Sequence, residues 1–339
     1  MKLTILANDN ILLNLQVPTI HQHRQQLIAF LKAWTLPVSM ITGFVGYIVY
    51  KQLHFLDCTH EFAKDFIGII QPLLIFLMLF ITFCKVNPSQ LKVRTWHIWV
   101  MLAQLGSFVG LAAILYFFPD TNLRVVIESA MLCMITPTAT AAAVITDKLG
   151  GNPASLTTYT IIANLVTAIA APIVFPAVHP VEGQTFVSSF GLILTKVFPL
   201  LICPFVAAVL VQRYAPKLLK HILSIKDLAF YMWAVALALA IAVTTRTLFH
   251  SNTPVVLELG IAGVSLASCL LQFYLGRQLS KPYGETLTGG QAMGQKSAIL
   301  EVWMGYTFLS PITSLAGGFY SIWHNVVNSW QLYQKKKEQ

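Results

Sequence analysis

Residues 136–140 read Thr136-Pro137-Thr138-Ala139-Thr140, and residues 289–296 read Gly289-Gly290-Gln291-Ala292-Met293-Gly294-Gln295-Lys296. Each stretch lies inside a long apolar run and carries residues that interrupt a helix. Proline has no amide hydrogen to donate and clashes with the turn before it, and glycine weakens a helix. Where such a run crosses a bilayer, the freed carbonyls and amides meet no water, so they are tolerable only facing protein, ions or a wet cavity. A simple kink would explain either stretch alone, since Pro and Gly are frequent in membrane helices. Their matched places along the chain, with polar residues around them, point to two helices broken at one functional centre, with Pro137, Gly290 and Gly294 as the break residues.

Composition supports the bilayer as solvent. Of 339 residues, 56% are hydrophobic and 10% charged, and the mean hydropathy is +0.69. A soluble domain carries about 25% charged residues, so one of this length would hold roughly fifty more. That excludes ordinary soluble, fibrous and disordered classes. The net charge of +9 would suggest a nucleic-acid partner in a soluble chain. In an apolar chain it reports orientation, because cytoplasmic loops retain Lys and Arg. Cys58, Cys84, Cys133, Cys203 and Cys269 show no metal or disulfide spacing and read as small packing residues.

A crossing helix needs about 20 apolar residues. Such runs occupy residues 34–50, 66–84, 96–118, 125–146 and 154–178, then 186–212, 228–245, 255–276, 286–310 and 311–333. Ten spans put both termini on one side. With both termini in the cytoplasm, sixteen of the 22 Lys and Arg fall inside, among them Lys2, Arg24, Lys32, Lys226 and Lys335–Lys337. Lys51, Lys64, Arg124 and Arg246 fall outside, while Lys196 and Lys296 lie within spans. The expectation is an all-α, multi-pass cell-membrane protein with cytoplasmic termini. Residues 1–33 form an interfacial lead-in, interrupted by Asn8, Asp9, Asn10 and Asn14 and so unlike a signal peptide, and 334–339 form a basic tail. Five spans per half, 34–178 and 186–333, force the halves into opposite orientations, the inverted repeat common among secondary transporters. The two interrupted stretches then fall in spans four and nine.

In these motifs the chain resembles the bile-acid:sodium symporter family and its wider relatives. That family's fourth-span pattern, Pro-Gly-Gly-Thr-Ala-Ser-Asn, aligns with 137–143, and its ninth-span pattern, Glu-x-x-x-Gln-Asn, aligns with 291–296. Residues 76–91 are similar to its second span and following loop, Gln104 to a third-span polar residue, and 321–325 to a last-span signature. The resemblance implies two inverted five-helix repeats with helices four and nine unwound and crossing. It also implies alternating access between a core and a panel of spans one, two, six and seven. The chain departs from it at the sodium ligands: the Ser and Asn positions are Ala142 and Ala143, the Glu position is Gln291, and the last Asn is Lys296. A sodium site needs convergent oxygens and usually a negative charge to offset dehydration. Losing a carboxylate and gaining a cation implies transport without sodium at these sites.

Lys296 falls about eleven residues into a span of about 25, where an ammonium is costly and usually functional. It could replace the ion as a tethered cation on carbonyls of broken helix ends, carry a proton, bind the carboxylate of an anionic substrate, or snorkel to the interface. Glu301 lies five residues on, about 140° round an unbroken helix at about 100° per residue, so the two would not pair; Lys196 is a candidate partner for Glu301, as a salt bridge or a relay. Glu128 and Glu258 lie near the outer face, where a wet boundary explains them. Thr138, Thr140, Gln104, Asn164, Thr167, Gln291, Gln295 and Ser297 complete the candidate site. Each could bind a carboxylate or water without added charge, or simply link helices. His324 could be a packing histidine, and Trp96, Trp323 and Trp330 interface or packing residues.

The expected function is secondary transport of a small organic anion, with the bilayer as partner and protons as coupling partner if Lys296 titrates. A proton or cation antiporter on a related fold is the rival. A membrane enzyme is the alternative of another class, but no HExxH, GxSxG, paired-Asp or phosphate-loop motif occurs, and no cofactor or metal site is indicated.

Overall fold

The computed structural model describes residues 35–53, 59–86, 91–180, 183–225, 228–251 and 253–338. The lead-in 1–33 and Lys226 lie outside them, so that part of the charge count has no structural counterpart. The described residues form helices with no strand element: α1 (Thr35–Gln52), α2 (His60–Cys84), α3 (Thr95–Phe117), α4 (Arg124–Ile135), α5 (Ala142–Leu149), α6 (Pro153–Val178) and α7 (Phe186–Tyr214). There follow α8 (Pro216–Ser224), α9 (Leu228–His250), α10 (Val255–Ser280), α11 (Thr286–Gly294), α12 (Ala298–Phe308) and α13 (Leu315–Glu338).

Among the described residues, six helices are long and apolar enough to cross a membrane: Glu61–Cys84, Thr95–Phe117, Pro153–Val178, Phe186–Tyr214, Tyr231–His250 and Val255–Tyr283. The protein is an all-α membrane protein. Their apolar side chains face outward as well as inward. Leu165, Ile169 and Ile173 on α6 are exposed, while Ala163, Ala171 and Phe175 on the same helix are fully buried, the all-round hydrophobicity a lipid-facing helix needs. The other apolar runs differ for visible reasons. Residues 125–146 and 286–310 each divide into two short helices, and α13 continues without a break to Glu338 through Lys335–Lys337. Short α8 opens with a proline, carries Lys217 and Lys220 and buries nothing, as an interfacial segment does.

Proline does not by itself explain where helices break. Pro72, Pro172, Pro176, Pro199 and Pro204 all lie inside continuous helices. Pro137 differs because the chain after it is captured elsewhere. Thr138 and Lys296 form an isolated antiparallel bridge; Ala139 N donates to Gln295 O at 2.8 Å and Ser297 N to Pro137 O at 3.0 Å. Each break supplies the hydrogen bonds the other lost, as buried backbone requires. Gly290, expected as a break residue, is inside α11 instead. The helix ends after Gly294, whose absent side chain admits the Phe273 ring.

Around this centre α10 packs on α11, α13 and α4, α3 on α4, and α12 on α13. On the other side, α9 packs on α1 and α2, and α2 on α7, while α7 lies along α6 and α9 touches α12 and α13. The approach of α10 to α11 is backbone to backbone: a β-carbon on Gly276 would stand 2.2 Å from Gly289 O. Small residues at such seams let membrane helices meet closely where the hydrophobic effect offers little between helices.

Candidate functional site

The end of α4 delivers its last carbonyls into the molecule's interior, where each buried carbonyl needs a donor. Side chains from several helices supply them. Thr136 Oγ1 donates to Leu132 O at 2.8 Å, Gln272 Nε2 of α10 to Cys133 O at 3.2 Å, and Thr167 Oγ1 of α6 to Ile135 O at 2.8 Å. Gln104 Nε2 of α3 reaches Ile135 O and Thr136 O at 3.5 Å, while its oxygen accepts from Tyr159 at 2.7 Å. Lys296 Nζ donates to Met134 O at 3.4 Å. The end of α11 is treated alike: Thr138 Oγ1 donates to Ala292 O at 2.6 Å, and Tyr320 OH to Gly294 O at 2.9 Å.

Helix dipoles organise the charges. Lys296 lies at the C-terminal end of α4, where carbonyls carry partial negative charge, and Glu301 lies in the first turn of α12, at a positive end. Both are fully buried. As the spacing predicts, they form no direct pair: the Lys296 ammonium turns to Met134 O, and both carboxylate oxygens of Glu301 stay clear of it, within electrostatic range only. Both Glu301 oxygens are without a hydrogen-bond partner, and the Cys133 thiol also feels their charge.

Lys196 is not the partner of Glu301. Helix α7 turns Ile193 and Val197 inward and leaves Lys196 exposed at the flank of that face, apart from the buried carboxylate. Glu128 is likewise no wet-boundary residue: it is 1% exposed. Arg124 Nε donates to its Oε1 at 3.1 Å, His179 Nδ1 lies 3.2 Å from that oxygen, and Thr313 Oγ1 donates to Oε2 at 3.2 Å. The cluster ties the start of α4 to the end of α6 and the turn before α13. Glu258 is half-buried and accepts from Ser251 at 2.7 Å.

The other expected site residues divide into those used and those left open. Gln291 Nε2 donates to Asn328 Oδ1 at 3.0 Å and Gln331 Oε1 at 2.9 Å, so it is anchored to α13. Thr140 and Ser297 are half-buried beside the breaks. Asn164 is 2% exposed with neither side-chain atom partnered, and Gln295 Oε1 and His324 Nδ1 are also buried without partners. Asn164 lies three residues before Thr167 and so on the same face of α6, toward the α4 end. Of these open groups, Asn164 Nδ2 can donate to an anion as Lys296 can, while the amide oxygens of Asn164 and Gln295 accept from water or a substrate hydroxyl. Among the described residues no three His, Cys, Asp or Glu side chains converge as metal ligands. Sequence reasoning missed Gln272, Asn328, Gln331, Tyr159 and Tyr320. Each is a polar atom in an apolar run, the one signal that marks such residues. Cys133, expected as simple packing, also lies 3.9 Å from the Ser265 hydroxyl. Trp96, expected at an interface or in packing, is buried and stacks on Tyr159 at 5.9 Å.

Compared with known proteins, the sequence matches no protein-family model and no curated protein.

Proposed function

We propose that the protein is a secondary transporter of a small organic anion, working by alternating access at the crossing of its two broken helices, with Lys296 standing where a sodium-coupled transporter would hold a cation. The observation that carries this reading is the Lys296 ammonium, fully buried and 3.4 Å from Met134 O at the end of a broken helix. An uncoupled, purely structural centre would have little use for so costly a charge. The succession of helices supports ten spans in two inverted halves. Three helices precede the broken pair α4 and α5, and three longer ones with α8 precede the pair α11 and α12; α6 and α13 close the halves. The row α1, α9, α2 and α7, each packed on the next, supports a panel, which the α6–α7 contact would join to the rest. On this reading the chain lies in the cell membrane with both termini cytoplasmic, and the unpartnered Asn164 and Gln295 face the substrate.

The test is uptake of a panel of small carboxylates into proteoliposomes. Uptake that persists when potassium replaces sodium, and is lost in Lys296→Gln, supports the reading. Uptake that collapses without sodium, or is indifferent to Lys296→Gln, refutes it. The unpartnered Glu301 carboxylate near Lys296 favours one second reading, a proton-coupled antiporter. That protein would dissipate an imposed pH gradient on addition of a cation, with no organic anion present.

A further inference from the structure

At the molecule's end opposite the Glu128 cluster, the last turns of α5, α10 and α13 and the first turn of α11 line an open cavity of about 250 Å³. Arg277, Gln331, Gln334, Lys335 and Trp330 line it, and Leu149 and Leu287 close its apolar side. Three features make it more than a gap between helices. The Arg277 guanidinium makes no hydrogen bond or ion pair among the described residues, while the Glu285 carboxylate is taken by Arg94 and Asn152. The Arg277 stem lies across Gly290, where a β-carbon would stand 2.6 Å from its Cγ; the missing side chain lets the stem lie flat against α11. Gln331 accepts from Gln291 through its oxygen at 2.9 Å, which leaves its NH2 group as a donor for the cavity.

The lining thus combines a planar guanidinium, an ammonium and amide donors with no carboxylate. Planar, bidentate donors suit phosphate oxygens. The volume is below the roughly 300–1,000 Å³ of pockets for drug-sized ligands, so it holds a small head group, and its open side lets the rest of a larger molecule extend outward. Trp330 is 56% exposed at the rim, an aromatic at the level where such rings meet lipid head groups, and basic pockets between helices at this level take anionic ones. We infer that this cavity binds a phosphate group and that its occupancy bears on α11, through Arg277 on Gly290 and Gln331 on Gln291. The inference stands apart from what the crossing region carries.

Thermal unfolding of the purified full chain in detergent tests it, with phosphatidylglycerol, inorganic phosphate and, at equal ionic strength, chloride as separate additions. A saturable rise in Tm with phosphatidylglycerol alone identifies a lipid phosphate; a rise with inorganic phosphate as well identifies a free one. In either case Arg277→Gln weakens half-saturation by about tenfold, as expected for loss of a charge-assisted contact. Should that variant not fold, Gln334→Glu places a carboxylate in the cavity and abolishes the rise. No rise with either additive overturns the inference, as does a rise unchanged in the variants. Arg277 and Lys335 would then serve only as cations at helix C-terminal ends.

Discussion

Replacing Lys296 by methionine separates its cost from its use. The two side chains are similar in volume, so Lys296→Met leaves no cavity of the kind that makes large-to-small changes cost about 2–5 kcal/mol. The ammonium has three donors. One reaches Met134 O, at 3.4 Å, longer than the usual N–H···O separation of about 2.9–3.0 Å. Removing it leaves that carbonyl without a donor, at the low end of the roughly 1–3 kcal/mol for an orphaned buried group. Against this, Glu301, losing its cation, neutralises by taking a proton, so no uncompensated charge is left inside, and exchanging buried charge for well-packed apolar atoms is then often stabilising by about 1–4 kcal/mol. The net is a protein about 0–3 kcal/mol more stable. At about 2 °C per kcal/mol for a chain of this size, Tm is unchanged or rises by up to about 6 °C while uptake is lost. Thermal unfolding and proteoliposome uptake measured on one preparation decide it. The double variant Lys296→Met, Glu301→Gln removes both charges and is expected to be at least as stable. A fall in Tm of more than about 4 °C for the single variant would refute the reasoning, because Lys296 would then hold the α4 end together and lost uptake would only report a damaged fold.

Other expectations follow from single contacts. Gly276→Ala drives a β-carbon to 2.2 Å from Gly289 O, so α10 and α11 must part, and Tm falls by several degrees; Gly106→Ala, with nothing within 4 Å of its added carbon, leaves it unchanged. Gln104→Leu strips the donor from Thr136 O and the acceptor from Tyr159, while Ile135 O keeps Thr167, which costs about 1–3 kcal/mol and is read as reduced stability in denaturant. Glu128→Gln removes the charge that Arg124, His179 and Thr313 share and costs about 1 kcal/mol, the lower range for charged hydrogen bonds because Arg124 and His179 are partly exposed. Lys196→Ala, at an exposed position, leaves uptake and stability unchanged; loss of uptake would reinstate a link between Lys196 and the centre.

Periodicity and break residues were legible because they are local. Apolar runs of crossing length appear as helices with ends shifted by a few residues, and the breaks at 136–141 and 295–297 fall in the quoted stretches. Roles that depend on which face a helix turns inward were not legible. Lys196 and Glu301 looked equivalent as central charges, yet the rotation of α7 exposes one and the packing of α12 buries the other. Glu128 looked peripheral because its depth along the helix was readable and its partners, at residues 179 and 313, were not.

The amino-acid sequence alone determined the solvent, the helices and the two weak points in them, since charge content, apolar run length and Pro or Gly placement act within a few residues. Only the tertiary structure decided what the weak points do. A broken helix must find donors and acceptors elsewhere, and the partners it finds are set by packing. Here Pro137 and Ser297, Ala139 and Gln295 bond to each other, and a lysine fills a place at a helix end that no local pattern assigns to it.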